Sequence, residues 1–270
     1  MSDRMPERDP VALDDRHALA TLDNHFALQL RCAPSDLRRP AWTITVTNAD
    51  VDPTALLFGQ RMLLTLIAPS PSDDAAIDGG VALVAPELRQ LIGEVLRAWT
   101  PATIFTAEGR AALDDAMHAA APRAQPSAAE AHTHLRYAIP GTFRPYLGQW
   151  LDWIEPLDES TEMEPAALSL LARYGGGIYV VREHGSIVAY AAMRTQSPAI
   201  SELHVRTLPQ ALRGHGLGRA VASRATRSIL TAGRVPLLTH QARDLASGHL
   251  ATALGYRLYA RAATYTAALH

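Results

Sequence analysis

The amino-acid sequence predicts a mixed α/β (α+β) chain: a C-terminal half built as one sheet with helices packed on it, preceded by an N-terminal α/β domain. Three observations carry this expectation. From about residue 178 the hydrophobic pattern runs hairpin, strand, helix, strand, helix, strand, which indicates a mixed sheet flanked by helices. Before residue 135 helix and strand patterns are also interleaved, but without the same order. Between the halves, residues 119–131 are rich in Ala, Pro and Ser and read as a linker, as do residues 68–80 earlier on. The boundary is therefore set at 1–135 and 136–270.

In chain order, residues 14–30 read as a helix and 42–47 as a strand. Residues 87–99 read as an amphipathic helix with Leu88, Leu91, Ile92, Val95 and Leu96 on one face. Residues 107–119 form another helical pattern. His132 and His134 alternate along an expected strand, a spacing more often met in a core or on a surface than at a metal. Residues 178–183 and 187–193 read as the arms of a hairpin closed by His184-Gly185-Ser186. A third strand follows at 200–207. The helix expected at 217–231 has an apolar face of Leu217, Ala220, Val221, Ala225 and Ile229. A strand at 235–239, a helix at 245–254 and a closing strand at 256–265 complete the pattern.

Composition narrows the chemistry. Of 270 residues, 48% are hydrophobic and 19% charged, as expected of a soluble protein with a real core. A net charge of −2 gives no whole-molecule attraction to nucleic acid or an anionic membrane. Cys32 is the single cysteine, so no internal disulfide and no Cys/His zinc site is expected, and no metal. The first residues lack the apolar core of a signal peptide, and the apolar stretch 55–68 is short and interrupted by Gln60 and Arg61. The expectation is a cytoplasmic protein without a membrane partner. All 25 basic residues are arginine, so Schiff-base chemistry, a P-loop lysine and lysine-tethered carriers are excluded. Coding bias, which the high alanine content also suggests, accounts for the missing lysine.

The turn between the strand at 200–207 and the helix at 217–231 contains Arg213-Gly214-His215-Gly216-Leu217-Gly218-Arg219. Alternating glycines let the backbone approach a ligand closely, and the helix start supplies unpaired N–H groups with a partial positive charge. From 203 to 243 there are seven arginines (206, 213, 219, 224, 227, 234 and 243) and no carboxylate. The segment lacks both the dinucleotide fingerprint and the P-loop pattern, yet it suits a ligand carrying several phosphates.

This segment resembles the GNAT superfamily of N-acetyltransferases, whose [Q/R]-x-x-G-x-[G/A] signature is matched by Arg213, Gly216 and Gly218. The lead-in, with Glu202, Val205, Thr207 and Pro209, is similar to the branch containing glycine N-acyltransferases. Asp244, Ser247, Leu250, Ala251, Leu254, Gly255 and Tyr256 resemble a second family segment. The resemblance covers about residue 150 onward. It implies a mostly antiparallel central sheet, acetyl-CoA as co-substrate, and a primary amine of a small molecule or protein as acceptor. It also implies that backbone groups of Val205, Arg206 and Thr207 meet the pantetheine arm. Residues Arg213, Gly214, His215 (through its backbone), Gly216, Leu217 and Gly218 hold the diphosphate, Arg219 belongs to the cofactor site, and Asp244 and Ser247 lie near the cofactor. A homodimer is a further expectation, and one reading makes the N-terminal half a degenerate copy of the same fold that lacks the loop.

Amine acylation needs a neutral amine and hence a base. Strand alternation puts Glu202 and His204 on one face, with Leu203 and Val205 on the other. Glu202 is the first candidate base and His204 the second. Two family positions depart from the pattern: an asparagine is replaced by Asp244, and the tyrosine that protonates the leaving thiolate by Ala251. Tyr256, Tyr259 and Tyr265 are candidates to replace that acid. Trp150 and Trp153 either line an acceptor pocket or pack in the core. The alternative to an enzyme is a non-catalytic acyl-CoA-binding or interaction protein.

Overall fold

Apolar alternation and helical periodicity fix most of the local elements. The computed structural model describes residues 13–47, 56–57, 60–70, 79–121, 124–125, 132–157, 165–175, 177–208 and 212–268. The strands are β1 (Ala41–Val46), β2 (Leu56–Leu57), β3 (Gln60–Pro69), β4 (Gly79–Val84), β5 (Ala124–Gln125), β6 (His132–Tyr137), β7 (Ile154–Leu157), β8 (Ile178–Glu183), β9 (Ser186–Ser197), β10 (Ile200–Thr207), β11 (Val235–Gln241) and β12 (Arg257–Ala268). The helices are α1 (Asp15–Leu30), α2 (Arg89–Ala98), α3 (Ala107–Ala120), α4 (Pro165–Tyr174), α5 (Leu217–Thr231) and α6 (Leu245–Ala253). They belong to two units, each assembled from separated stretches of chain. One comprises residues 1–21, 137–238 and 250–256, the other residues 22–136, 239–249 and 257–270. The boundary expected near residue 135 falls within β6.

The first unit holds the strand order β11-β10-β9-β8-β7. The β7–β8, β8–β9 and β9–β10 pairs are antiparallel and β10–β11 is parallel, which is the mixed, mostly antiparallel sheet expected. Its side chains separate by strand alternation. On one face Leu203, Val181, Ala189 and Ala191 pack against Leu217, Val221, Ala222 and Ala225 of α5. On the other, Ile178, Val180, Tyr190 and Ala192 pack against Ala167, Leu170, Leu171 and Tyr174 of α4. The sequence reading did not foresee α4, although its apolar residues at 167, 170, 171 and 174 have helical spacing.

The second unit holds the order β1-β4-β3-β12-β6. Ile92 and Leu96 of α2 and Leu113 and Met117 of α3 cover Leu64, Leu66, Ala82, Val84 and Ala263. Two buried tyrosines anchor this unit: the Tyr259 hydroxyl donates to Asp23 Oδ1 at 2.9 Å and the Tyr265 hydroxyl to Asp114 Oδ1. The Arg38 guanidinium meets Asp23 at 3.0 and 2.8 Å and offsets its charge.

The loop expected at 68–80 is corrected at both ends. Ala68 and Pro69 finish β3, and Gly79 and Gly80 open β4; residues 71–78 lie outside those described. β3 and β4 escaped detection because both faces are covered. Met62, Leu63, Leu64, Leu66, Ile67 and Ala68 are all buried, so no polar alternation marks the strand. Gly79 and Gly80 are needed for close approach, since a Cβ would come 2.5 Å from the Arg39 carbonyl oxygen at Gly79 and 2.5 Å from the Trp42 ring at Gly80. In the other expected linker, Ala124–Gln125 pair with β12, while residues 122–123 and 126–131 are outside the described set.

Candidate active site

The turn into α5 is built on two left-handed glycines, Gly214 at φ 86° and Gly216 at φ 87°. That conformation costs an L-residue strain and costs glycine little. Gly216 is the N-cap of α5 and supplies no capping side chain. The N–H groups of Gly216, Leu217, Gly218 and Arg219 donate to no acceptor among the described residues; the first bond across this turn is from Ala220 N–H to the Gly216 carbonyl, 2.9 Å. Such a helix mouth carries unsatisfied donors and the positive end of the helix dipole. At Gly218 a Cβ would meet Thr207 Oγ1 at 3.0 Å, so the glycine lets the helix start lie directly on β10.

The arginines and histidine of the motif do different things. Arg213 and His215 are exposed. The Arg219 guanidinium donates to the Ala253 carbonyl at 3.1 Å and lies 5.9 Å from the Tyr146 ring centre. Its side chain is therefore engaged away from the glycines, while its backbone N–H belongs to the first turn of α5. The His215 carbonyl accepts from Trp150 Nε1 at 2.7 Å.

β10 leaves its parallel neighbour beside this mouth. The β10–β11 register runs only through Ile200↔Val235, Ser201↔Pro236 and Glu202↔Leu237, whereas β10 continues paired with β9 to Thr207↔Ala189. Pro236 has no N–H to give a ladder. Residues 203–207 thus lie beyond the last β11 pair, so among the described residues no strand pairs with that edge of β10 there, and it suits an extended ligand. Val205, Arg206 and Thr207 are the residues on that edge.

The two faces of β10 are those expected from alternation. Leu203 and Val205 join the α5 side of the core. Glu202 and His204 share the opposite face, with His204 Nε2 3.5 Å from Glu202 Oε2. Gln196 Nε2 donates to the same Glu202 oxygen at 2.6 Å, and the carboxylate is only 16% exposed. An amide donor holding one carboxylate oxygen orients the group. Two tyrosines missed by sequence reasoning complete this face. The Tyr174 ring is 5.3 Å from His204 and 6.4 Å from Tyr190. Burial, and then the neighbouring Tyr190, push the Tyr174 hydroxyl pKa up. Tyr190 stands opposite Arg206 in the β9–β10 register. The signal for Tyr174 was the helical spacing of α4.

None of the three tyrosines considered as replacement acids offers a free hydroxyl. Tyr256 is buried with its hydroxyl 2.8 Å from Thr226 Oγ1, and burial raises its pKa despite that bond. Tyr259 is raised by burial and then by Asp23, and Tyr265 by burial and then by its bond to Asp114. Ala251 itself is fully buried.

Asp244 and Ser247 belong to the second unit, where they have a local task. Asp244 Oδ1 accepts from the Ser247 N–H at 3.1 Å and Oδ2 from its hydroxyl at 2.7 Å, closing the start of α6. Burial opposes the charge, but the Ser247 bonds and nearby His240 outweigh it and hold the Asp244 pKa below the usual value. In the same unit His132 is buried between Asp114 and Tyr265. The pKa of His134, whose ring lies 5.2 Å from that of His240, is pushed down to about 4, first by burial and then by His240, Arg136, Arg261 and Arg110. Among the described residues no group of three His, Cys, Asp or Glu side chains is placed to hold a metal ion, and no helix is long and apolar enough to cross a membrane.

Comparison with known proteins bears on this geometry. A comparison with curated proteins returns no match. Among solved structures, the chain is similar to a protein of Novosphingobium aromaticivorans described as of the GNAT family, at 25% identity, covering 52% of this chain and 66% of that one, TM-score 0.43. It is similar to a GCN5-related N-acetyltransferase from Kribbella flavida at 19% identity, covering 52% and 59%, TM-score 0.38. A GCN5-related N-acetyltransferase from Sphaerobacter thermophilus gives 14%, with 69% and 71% covered and TM-score 0.43. The match thus spans 66% and 59% of the first two relatives' length. Residues 170–266, which include the open helix mouth, the splayed strand and the Glu202 face, match the family profile described as GNAT acetyltransferase, and this segment is a GNAT-superfamily N-acetyltransferase domain.

Proposed function

We propose that the protein transfers an acyl group, acetyl in the first instance, from acyl-CoA directly to a primary amine of a small molecule or protein. The observation that carries this reading is the pairing of an open helix mouth at Gly216–Arg219 with a strand that parts from its neighbour after Glu202. The donors at the mouth suit a diphosphate, and the unpaired edge at Val205, Arg206 and Thr207 suits the amide-bearing pantetheine arm. Bound acyl-CoA supplies a thioester carbonyl open to attack. Glu202, oriented by Gln196, takes the proton of the incoming amine directly or through one water, with His204 as the second candidate. A backbone N–H near Val205 meets the developing oxyanion. The C–S bond breaks as the amide forms, and the thiolate leaves without a dedicated acid. Its conjugate thiol has a pKa near that of cysteine, about 8.5, so it is a tolerable leaving group at neutral pH. In this reading residues 136–270 carry the acyl-CoA chemistry, the protein works in the cytoplasm, and it pairs as a homodimer.

A second reading, a non-catalytic acyl-CoA-binding protein, is favoured by the buried Ala251 at the family's acid position. Thiol release from acetyl-CoA across an amine panel, run beside a calorimetric titration of the cofactor, separates the two. Transfer predicts turnover that Glu202→Gln lowers by about a hundredfold or more with cofactor affinity unchanged. Binding without turnover, the same in Glu202→Gln, supports the second reading. Absence of cofactor binding refutes both.

A further inference from the structure

Among the described residues seven large apolar side chains are exposed, and three of them fall within residues 147–153: Leu147 at 81%, Leu151 at 41% and Trp153 at 61%. Single exposed apolar residues need no explanation, whereas a group concentrated beside a ligand loop does. This segment is fastened to the turn that opens α5. The Tyr146 N–H donates to the buried Ser223 hydroxyl at 2.9 Å, and Trp150 Nε1 donates to the His215 carbonyl at 2.7 Å. The Tyr146 ring lies against Gly216, where a Cβ would come 3.3 Å from its hydroxyl oxygen. The Trp153 ring centre is 6.5 Å from that of Trp150, the two planes at 69°. Trp153 is thus a largely exposed indole in edge contact with Trp150, and Trp150 is itself hydrogen-bonded to the glycine turn.

We propose that Trp153, propped by Trp150, is a stacking platform for the purine base of coenzyme A. This inference rests on the acyl-CoA reading above. A diphosphate gripped by the Gly216–Arg219 amides carries, across one ribose, a purine base that is a flat, polarisable heterocycle. A flat, exposed indole beside the turn is a surface that such a ring covers. The His215 carbonyl, an acceptor that would repel phosphate oxygens, is taken up by Trp150 Nε1, and Trp153 beside it is left exposed as a stacking surface.

Calorimetric titration of the full chain with coenzyme A, in Trp153→Ala, Trp153→Leu and Trp153→Phe, tests the platform. The expected result is an affinity loss of about tenfold in Trp153→Ala and Trp153→Leu, with Trp153→Phe within about twofold of the unsubstituted protein. Quenching of tryptophan fluorescence on cofactor addition should fall in all three. Thermal unfolding, measured alongside, should not move, because the side chain is exposed. Coenzyme A binding unchanged in Trp153→Ala, or a loss that Trp153→Phe shares, overturns the platform and leaves the acyl-CoA reading standing. If the unsubstituted chain binds no coenzyme A, both fall.

Discussion

α5 and α6 both begin after a tight turn, and their first turns are finished in opposite ways. At α6 the Asp244 carboxylate takes up the N–H and hydroxyl of Ser247, so the helix satisfies its own donors and places a negative charge at its start. At α5 the N-cap is Gly216, without a side chain, and the N–H groups of the first turn have no acceptor among the described residues. The same dipole exists at both ends, but only one is open to an outside anion. The contrast explains why Asp244, which looks wrong for a residue beside an anionic cofactor, is reasonable where it stands.

The contrast can be broken most forcefully by closing the open mouth. Gly216→Asp would put a carboxylate where the diphosphate is expected, and coenzyme A affinity should fall by about a hundredfold or more in calorimetry. Unfolding should stay cooperative, since aspartate is among the residues that tolerate the left-handed region. Affinity retained in that variant would mean that the mouth is not the diphosphate site.

The reverse experiment opens the closed mouth. Asp244→Ala should cost about 0.5–2 kcal/mol in denaturant unfolding, the usual worth of an N-cap. The pH dependence has a definite sign. The folded-state pKa of Asp244 is held below the reference value of 3.8, so its contribution is complete above that value. It is lost as the pH falls through the lower folded value. Asp244→Asn should therefore flatten the acid edge of the stability profile; an unchanged acid edge would show that the cap adds nothing.

The smallest effect is expected at Tyr256. Its hydroxyl bonds Thr226 inside the first unit, so Tyr256→Phe should cost about 1 kcal/mol of stability, the worth of one buried hydrogen bond. Turnover should stay within about twofold, because a buried, bonded hydroxyl has no thiolate to protonate. A large loss of turnover in a folded variant would return Tyr256 to the reaction as its acid.

Much of the candidate site was legible in the sequence because its signals are local. Glycine at 214, 216 and 218 is demanded by backbone conformation and close approach, and alternation along β10 put Glu202 and His204 on one face. What escaped were elements whose signal is cancelled by burial or carried by a partner. β3 and β4 are covered on both faces and show no period. Tyr174 reaches His204 only because α4 packs on that face of the sheet. Nothing in the spacing of 256, 259 and 265 reveals that each tyrosine hydroxyl is already taken by Thr226, Asp23 or Asp114.

By itself the sequence determined the order of strands and helices after residue 178 and the conformation of the turn at 213–218. Both depend on interactions between residues close in the chain. Only the tertiary structure decided that β10 parts from β11 after Glu202, that Arg219 turns back to Ala253, and that Asp244 caps a helix. Each of these is settled by which distant group accepts a hydrogen bond, and a linear pattern does not encode that partner.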